Sequence, residues 1–207
     1  MKRILAFLLA FGLLGAPLSL AAGVSYGDVP QGIWYYDAVQ TVSDRGLMKG
    51  TADGVFSPNA PTTRAAVVTI LHRMAGSPDV GTSAFPDVAA SSWYSRPVAW
   101  AAAKGIVLGY DDGLFRPDQP VTREQMATIL RRYASYEGYS DQVTLDLSRY
   151  TDASSVSPSA QMALAWAVQS GIITGVSDYQ LAPAGQTTRA QLATILTRYL
   201  TYMDQHQ

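Results

Sequence analysis

The sequence contains no cysteine, which excludes a thiol nucleophile, a disulfide framework and a cysteine-based zinc site. Histidine is scarce as well, since only His72 and His206 are present and neither stands in a catalytic or metal-binding motif. No serine-hydrolase, zinc-protease or phosphate-loop motif occurs in the 207 residues. We therefore expect a protein that is not an enzyme and that uses no cofactor.

The chain also lacks an excess of positive charge. It has 15 basic and 16 acidic residues, which leaves a formal net charge of −1. A nucleic-acid-binding domain is expected to be basic, so we expect no nucleic-acid partner. Hydrophobic residues make up 48% of the sequence, which is typical of a globular protein rather than a disordered one.

Long hydrophobic runs are missing except at the beginning of the chain. Residues 1–22 have the pattern of a secretory signal peptide, with Lys2 and Arg3 before an apolar run and small residues up to Ala22. The alternative is a retained membrane anchor, but the apolar run is short for a span and contains glycine and proline. We predict cleavage and secretion, and no membrane span afterwards.

One pattern of residues occurs three times in the same register. Counted from Trp34, Trp93 and Ser159, glycine recurs at +12 and +16, proline at +24 and a Thr-Arg pair at +29 and +30, without a gap. Such self-similarity indicates a repeat architecture. The repeated positions are Gly46, Gly105 and Gly171 for the first glycine, Gly50, Gly109 and Gly175 for the second, and Arg64, Arg123 and Arg189 for the arginine.

Each copy is predicted to form two helices joined by a structured loop of about fifteen residues. The first glycine fits the left-handed position that ends a helix. The threonine of each Thr-Arg pair fits the N-cap of the second helix, and Val67, Ile70 and Leu71 begin an apolar stripe on that helix in copy one. In copy three, Met162, Ala165, Trp166 and Gln169 are expected on the buried face of the first helix.

The middle copy reads Phe85-Pro-Asp-Val, then Trp93, Gly105-Ile-Val-Leu-Gly-Tyr-Asp-Asp-Gly-Leu-Phe-Arg-Pro117 and Thr122-Arg123. This order resembles the S-layer homology (SLH) repeat. The first copy departs at Thr51, and the third departs at Ser159 and Tyr179. We assign the repeats to residues 25–76, 84–137 and 149–203, with a polar surface linker at residues 138–148.

The resemblance implies a mainly α fold. In it, three tandem two-helix repeats form a pseudo-threefold helical bundle with long structured loops. The second helices would be central, and grooves would lie between neighbouring repeats. Trp100 and Trp166 fall within helical stripes and are expected in the core.

The Thr-Arg pair is the most informative local feature. Each arginine falls at the first position of a helix, where the macrodipole disfavours a cation. An anion explains the arrangement, because the helix N–H groups and the guanidinium would converge on one carboxylate or phosphate. A salt bridge between repeats, from each arginine to Asp28, Asp87 or Asp152, explains it as well. The residues alone leave both explanations open.

The SLH resemblance favours a ligand and implies a pocket for an anionic, pyruvylated secondary cell-wall polysaccharide linked to peptidoglycan. It implies the site residues Arg64, Arg123, Arg189, Gly50, Gly109, Gly175, Asp28, Asp87, Trp34 and Trp93. The two tryptophans could stack on a sugar or pack in the core, and the second glycines could admit a ligand or serve the loop alone. The pocket that uses the start of copy three is expected to be the weakest.

The predicted function is non-covalent attachment to the wall of a Gram-positive-type bacterium, at the cell wall or S-layer surface. One alternative is a structural or assembly protein that contacts other surface proteins. A weaker alternative is a wall-active hydrolase. The Asp111-Asp112-Gly113 stretch lacks the ligand spacing of a calcium loop and is predicted to be a turn, so we expect no metal site.

Overall fold

The computed structural model describes residues 24–140 and 142–206. The predicted signal peptide, residues 1–22, lies outside them. The described residues form six α-helices and one 3-10 turn, with no β-strand among them. The α-helices are α1 (Tyr36–Asp44), α2 (Arg64–Met74), α3 (Ser95–Ala103), α4 (Arg123–Tyr136), α5 (Gln161–Gln169) and α6 (Arg189–Gln205).

The helices begin and end where the local sequence signals predict. Thr63, Thr122 and Thr188 are the N-caps of the second helices, and the latter two form capping boxes with Gln125 and Gln191. The glycine after each first helix has a φ of 67° or 68°, so it occupies the left-handed stop position. These predictions are confirmed.

The three copies are joined around one axis by a closed ring of backbone hydrogen bonds. Thr62 N donates to Thr187 O, Thr187 N donates to Val121 O, and Val121 N donates to Thr62 O, each at 2.9 Å. These residues stand at the same position of the three copies, one before the N-cap threonine. Because only backbone atoms take part, the ring tolerates threonine or valine there, and it gives the bundle its pseudo-threefold symmetry.

Each first helix packs against the second helix of the preceding copy rather than against its own partner. Thus α3 packs on α2, α5 on α4, and α1 closes the circle by packing on α6. A single copy therefore cannot bury its apolar faces alone. The buried side chains form one hydrophobic core that includes Trp100 and Trp166, as predicted.

The first helix of copy three departs from the prediction. Met162 is 58% exposed and Gln169 is also exposed, whereas Leu164 is fully buried. The predicted stripe is therefore wrong at both of its ends. Gln169 faces residues 138–148 instead, because its Oε1 accepts hydrogen bonds from Thr144 N at 2.9 Å and Leu145 N at 3.0 Å.

The connection between copies two and three lies against the bundle. Leu147 is buried, Val143 and Leu145 pack against the core, and the Tyr139 hydroxyl donates to Met203 O at 3.3 Å. The prediction of a polar surface linker missed these contacts, because their partners lie in α5 and α6, about 20 to 60 residues further along the chain. Across the described residues, no helix is both long and apolar enough to cross a membrane.

Candidate ligand-binding grooves

An aspartate near the start of each copy fixes the loop of the same copy. Asp87 Oδ1 accepts from Phe115 N at 2.9 Å, and Oδ2 accepts from Arg116 N at 2.6 Å. Asp28 and Asp152 bind the equivalent N–H groups of their own loops. The carboxylates that the sequence suggested for the pocket are therefore engaged by backbone donors, and Asp28 and Asp87 are not among the groove-lining residues described below.

These aspartates also stabilise a strained backbone. Ser57, Arg116 and Ala182 have φ values of 58°, 58° and 49°, although none is glycine. A side chain in this left-handed region costs about 1–2 kcal/mol, and each of these residues donates its N–H to the aspartate. Burial of Asp152 opposes its ionisation, yet the N–H groups of Leu181 and Ala182 outweigh that effect, so its pKa lies below the ordinary value.

The second glycine of each copy is required by close contacts within its own copy. A Cβ added at Gly50 would lie 2.6 Å from Val55 O, and one at Gly109 would lie 2.5 Å from Phe85 Cε1. At Gly175 it would collide with Ser177 O. The close approach therefore involves atoms of the same copy, namely loop carbonyl oxygens at Gly50 and Gly175 and the Phe85 ring at Gly109, although all three glycines also line grooves.

Each arginine of a Thr-Arg pair reaches into the next copy. Arg64 Nε donates to Phe115 O at 2.8 Å, and its Nη2 donates to Leu108 O at 3.2 Å. Arg123 makes the equivalent bonds to copy three, and Arg189 makes them to copy one. The arginines therefore join neighbouring copies through carbonyl oxygens, a role that the sequence did not indicate.

Salt bridges from these arginines to aspartate, one of the two explanations that the residues left open, are not formed in the described part of the chain. Within the described residues, the ion pairs are Arg96–Asp79 and Arg116–Asp112, both on the surface. Arg64 and Arg123 are only 6% exposed, and burial lowers the pKa of Arg64, Arg123 and Arg189. Their ordinary pKa is so high that they stay charged at neutral pH.

The helix N-termini do not offer unpaired N–H groups to an anion. Arg64 N donates to Gln119 O at 3.0 Å, Ala65 N donates to Pro117 O at 2.9 Å, and Ala66 N donates to the cap Thr63. The first two bonds recur in the other copies. The expectation that N–H groups and guanidinium converge on one ligand is therefore wrong, and only the guanidinium can serve that purpose.

Three equivalent grooves lie between the copies, and each is lined by residues from all three. One copy gives the arginine of the Thr-Arg pair, the next gives the loop glycine and the second helix, and the last gives the residue at the tryptophan position. Their volumes are about 290, 360 and 240 Å³. They are groove A (Arg64, Gly109, Arg132, Ser159), groove B (Arg123, Gly175, Arg198, Trp34) and groove C (Arg189, Gly50, Arg73, Trp93).

Each groove contains a second arginine that the sequence patterns did not single out. Arg73, Arg132 and Arg198 each follow the Thr-Arg arginine by nine residues and lie on the outer part of the second helix. The signal was present, because the common register continues to this position in all three copies. It was obscured because arginine is ordinary on an exposed helix surface, and only the groove shows what the residue faces.

Trp34 and Trp93 lie at the groove rims. They are 64% and 65% exposed, so core packing does not explain them. Each meets the tyrosine that follows it edge-on, with ring centroids 5.0 Å apart, and Tyr35 itself is buried. This contact fixes each indole while a face stays accessible to a sugar ring.

Groove A differs from the other two grooves. Ser159 stands at its tryptophan position, and Glu124 contributes a carboxylate to its lining. Glu124 accepts hydrogen bonds from Ser157 N at 2.9 Å and Ser157 Oγ at 2.8 Å. Among the described residues, none that lines groove B or groove C is acidic. Groove A is therefore less positive and lacks a stacking face.

Comparison with known proteins agrees with this architecture. The sequence profile described as "S-layer homology domain" matches residues 25–68, 84–127 and 149–193. The surface-layer 125 kDa protein of Lysinibacillus sphaericus is 33% identical over 171 residues, which cover 81% of this chain and 14% of that protein. The amylopullulanase of Thermoanaerobacterium thermosulfurigenes is 30% identical over 165 residues, which cover 79% of this chain and 9% of that protein. The S-layer protein sap of Bacillus anthracis is 31% identical over 112 residues, covering 53% and 14%. The chain thus matches less than a fifth of each relative's length.

Proposed function

The chain belongs to the S-layer homology domain family, and from that premise we propose that it attaches non-covalently to a bacterial cell surface. The ligand is an anionic wall polysaccharide that enters the grooves between the repeats. The matched S-layer relatives are named as surface proteins, which supports a location at the cell wall. In this role the chain is a secreted binding module.

The observation that carries the proposal is the pair of arginines in each groove. In groove B, Arg123 is buried and has no carboxylate within ion-pair distance among the described residues, and Arg198 lies on the same lining. Nε and Nη2 of Arg123 bind carbonyl oxygens, and no hydrogen bond from its Nη1 is found in the described part of the chain. A desolvated guanidinium beside a second one favours a carboxylate or phosphate.

The tryptophans favour a sugar as the carrier of that anion. Trp34 and Trp93 offer apolar faces directly beside the arginine pairs of grooves B and C. An acidic sugar presents both a charge and an apolar ring face, so it matches this combination. A pyruvylated sugar fits well, because its carboxylate is fixed rigidly to the ring. Asp28 and Asp87 then act as positioning residues that hold the loops.

We propose binding without catalysis. Amylopullulanase is the name of a much longer protein, of which this chain matches 9%. The grooves contain guanidinium groups, hydroxyls and tryptophans, and the described residues give them a single carboxylate, Glu124 in groove A. Glycoside hydrolysis ordinarily uses two carboxyl groups that flank the bond to be broken.

Binding to purified wall sacculi tests the proposal. The protein should bind native sacculi and lose binding once the acidic polysaccharide has been stripped. Arg198→Ala should weaken binding to groove B about tenfold or more, because it removes a charge-assisted contact. Arg96→Ala is the matched control, since Arg96 is exposed and lies outside the three grooves.

Two outcomes would contradict the proposal. Undiminished binding to stripped sacculi would show that another wall component is recognised. Binding to a surface protein, with none to either kind of sacculus, would favour the assembly role instead. Both variants should keep the melting temperature of the unaltered protein, so that a loss of binding reports on the groove.

A further inference from the structure

A further cavity of the bundle lies outside the three grooves. It has a volume of about 720 Å³ and lies where the second helices end, opposite the ring of backbone hydrogen bonds at their beginnings. The second helices around it differ in length, since α2 has 11 residues, α4 has 14 and α6 has 17. The last residues of all three helices line this crevice, among them Met74, Tyr136 and Met203.

The crevice adjoins groove C. Leu47 and Arg73 line both cavities, and Arg73 Nη1 donates to Leu47 O at 2.9 Å. These two residues form the shared border, and a polymer bound in groove C would continue into the crevice over this border. Within residues 24–140 and 142–206, grooves A and B share no lining residue with the crevice.

The chemistry of the crevice differs from that of groove C. Its lining carries Arg45 and Arg73 but also Glu137 and Asp204, so its charges balance. Groove C has Arg73, Arg189 and Lys49, and no acidic residue lines it in the part of the chain that the structure describes. The crevice is therefore unsuited to a second anionic group and suited to an uncharged ligand that both donates and accepts hydrogen bonds.

Tyrosines give the crevice aromatic faces. Tyr136 is 41% exposed, and its ring meets Trp100 edge-on at 5.6 Å between centroids, which fixes its orientation. Tyr139 is partly buried and is held by the bond from its hydroxyl to Met203 O. Glu137 Oε2 accepts from the Tyr199 hydroxyl at 2.6 Å, which fixes a carboxylate beside the rings. Oriented tyrosines beside carboxylates offer stacking and hydrogen bonds to a hydroxyl-rich ring.

We propose that this crevice binds the uncharged sugar units that adjoin the anionic unit held in groove C. Groove C and the crevice together form one extended site for a stretch of the polysaccharide, whereas grooves A and B bind an acidic unit alone. This inference rests on the proposed function, because it assumes that groove C holds the acidic unit.

Fragments of different length test the extended site. Polysaccharide is released from sacculi and sized, giving the shortest fragment with the acidic unit and one longer by two or three repeating units. The unaltered protein should bind the longer fragment more tightly. Tyr136→Ala should weaken binding of the longer fragment about threefold to tenfold, as expected for one lost stacking contact, and should leave the shorter fragment unaffected. Tyr179→Ala is the control, because Tyr179 is 67% exposed and lines none of these cavities.

Tyr136 also contacts the buried Trp100, so its substitution can affect folding as well as binding. A second variant without such a core contact separates the two effects. Asp204 is exposed, so Asp204→Ala should leave the fold intact and weaken binding of the longer fragment about twofold to tenfold. Equal affinity of the unaltered protein for both fragments, or equal weakening of both by these variants, would overturn the extended site. Failure of the unaltered protein to bind either fragment would instead refute the proposed function.

Discussion

Grooves A and B are built on the same backbone frame but present different side chains to a ligand. Each has an aspartate-fixed loop and an inter-repeat arginine, and their loops contain the same N–H···O bonds, Tyr110 to Leu114 and Val176 to Gln180, both 2.8 Å long. At the rim, groove B has Trp34 where groove A has Ser159. The parts that hold the repeats together are therefore separate from the parts that select a ligand.

The loops show how far the frame tolerates change. Gly54 and Gly113 have φ values of 66° and 78°, but Tyr179 stands at the equivalent position in copy three, outside the left-handed region. The bridge between Ser177 and Gln180 still forms, as it does between Ala52 and Val55. The loss of this glycine therefore leaves the loop intact, and the difference between the grooves lies in their rim residues.

The largest effect on folding stability is expected from removing the aspartates that hold the loops. Asp87→Ala and Asp152→Ala should each lower the free energy of unfolding by about 3 kcal/mol or more, because two backbone N–H groups lose a charged acceptor. Asp87 holds the loop that lines groove A, and Asp152 holds the loop that lines groove B. The two losses of stability should be similar, although the rim residues of these grooves differ. Chemical denaturation measures them, with Asp112→Ala as control, since Asp112 makes an exposed ion pair. A cost below about 1 kcal/mol would show that the loops are held otherwise.

The next effect separates the two arginines of groove B. Arg123→Ala should cost about 1.5–3 kcal/mol of folding stability and also weaken binding, because Leu181 O and Thr174 O lose their donor. Arg198→Ala should weaken binding with a change in stability within about 0.5 kcal/mol. Arg123→Lys keeps the charge but loses the planar guanidinium group. Its stability and its binding should therefore lie between those of Arg123→Ala and those of the unaltered protein. Normal binding by folded Arg123→Ala would mean that Arg123 only joins the repeats.

The local features of each repeat could be predicted from the sequence, whereas the contacts between repeats could not. It predicted the N-caps, the helix stops and the first-turn arginines, because short-range spacing determines them. It could not predict that Arg123 binds carbonyls of copy three, or that α1 packs on α6, because these contacts join distant parts of the chain. The left-handed conformation of the residues before proline (Ser57, Arg116 and Ala182) could not be predicted for the same reason. It depends on a hydrogen bond to an aspartate 29 residues earlier in the chain, or 30 residues earlier in copy three.

A smaller effect is expected from exchanging the rim residues. Trp34→Ala should weaken binding to groove B about threefold to tenfold without lowering the melting temperature, because the indole is largely exposed. Ser159→Ala should change binding little, whereas Ser159→Trp should strengthen binding to groove A. Calorimetric titration with the shortest acidic fragment measures all three. Greater loss from Ser159→Ala than from Trp34→Ala would reverse the ranking of the grooves.

The smallest effect concerns the carboxylate of groove A. Glu124→Gln removes a negative charge beside Arg64 and Arg132 but keeps one acceptor for Ser157. We expect slightly tighter binding of an anion to groove A, and a loss of about 1 kcal/mol of folding stability. The measurement is best made in a Trp34→Ala and Trp93→Ala background, where groove A dominates. Weaker anion binding by Glu124→Gln would show that the carboxylate helps to hold the ligand.

The stoichiometry of acidic-fragment binding tests most directly whether the grooves bind through paired arginines and a rim tryptophan. Titration of the unaltered protein with the shortest acidic fragment should show two sites of similar affinity, grooves B and C, and a weaker third, groove A. Arg198→Ala should remove one strong site and Arg73→Ala the other. Three equal sites, or two strong sites that survive both substitutions, would contradict this assignment.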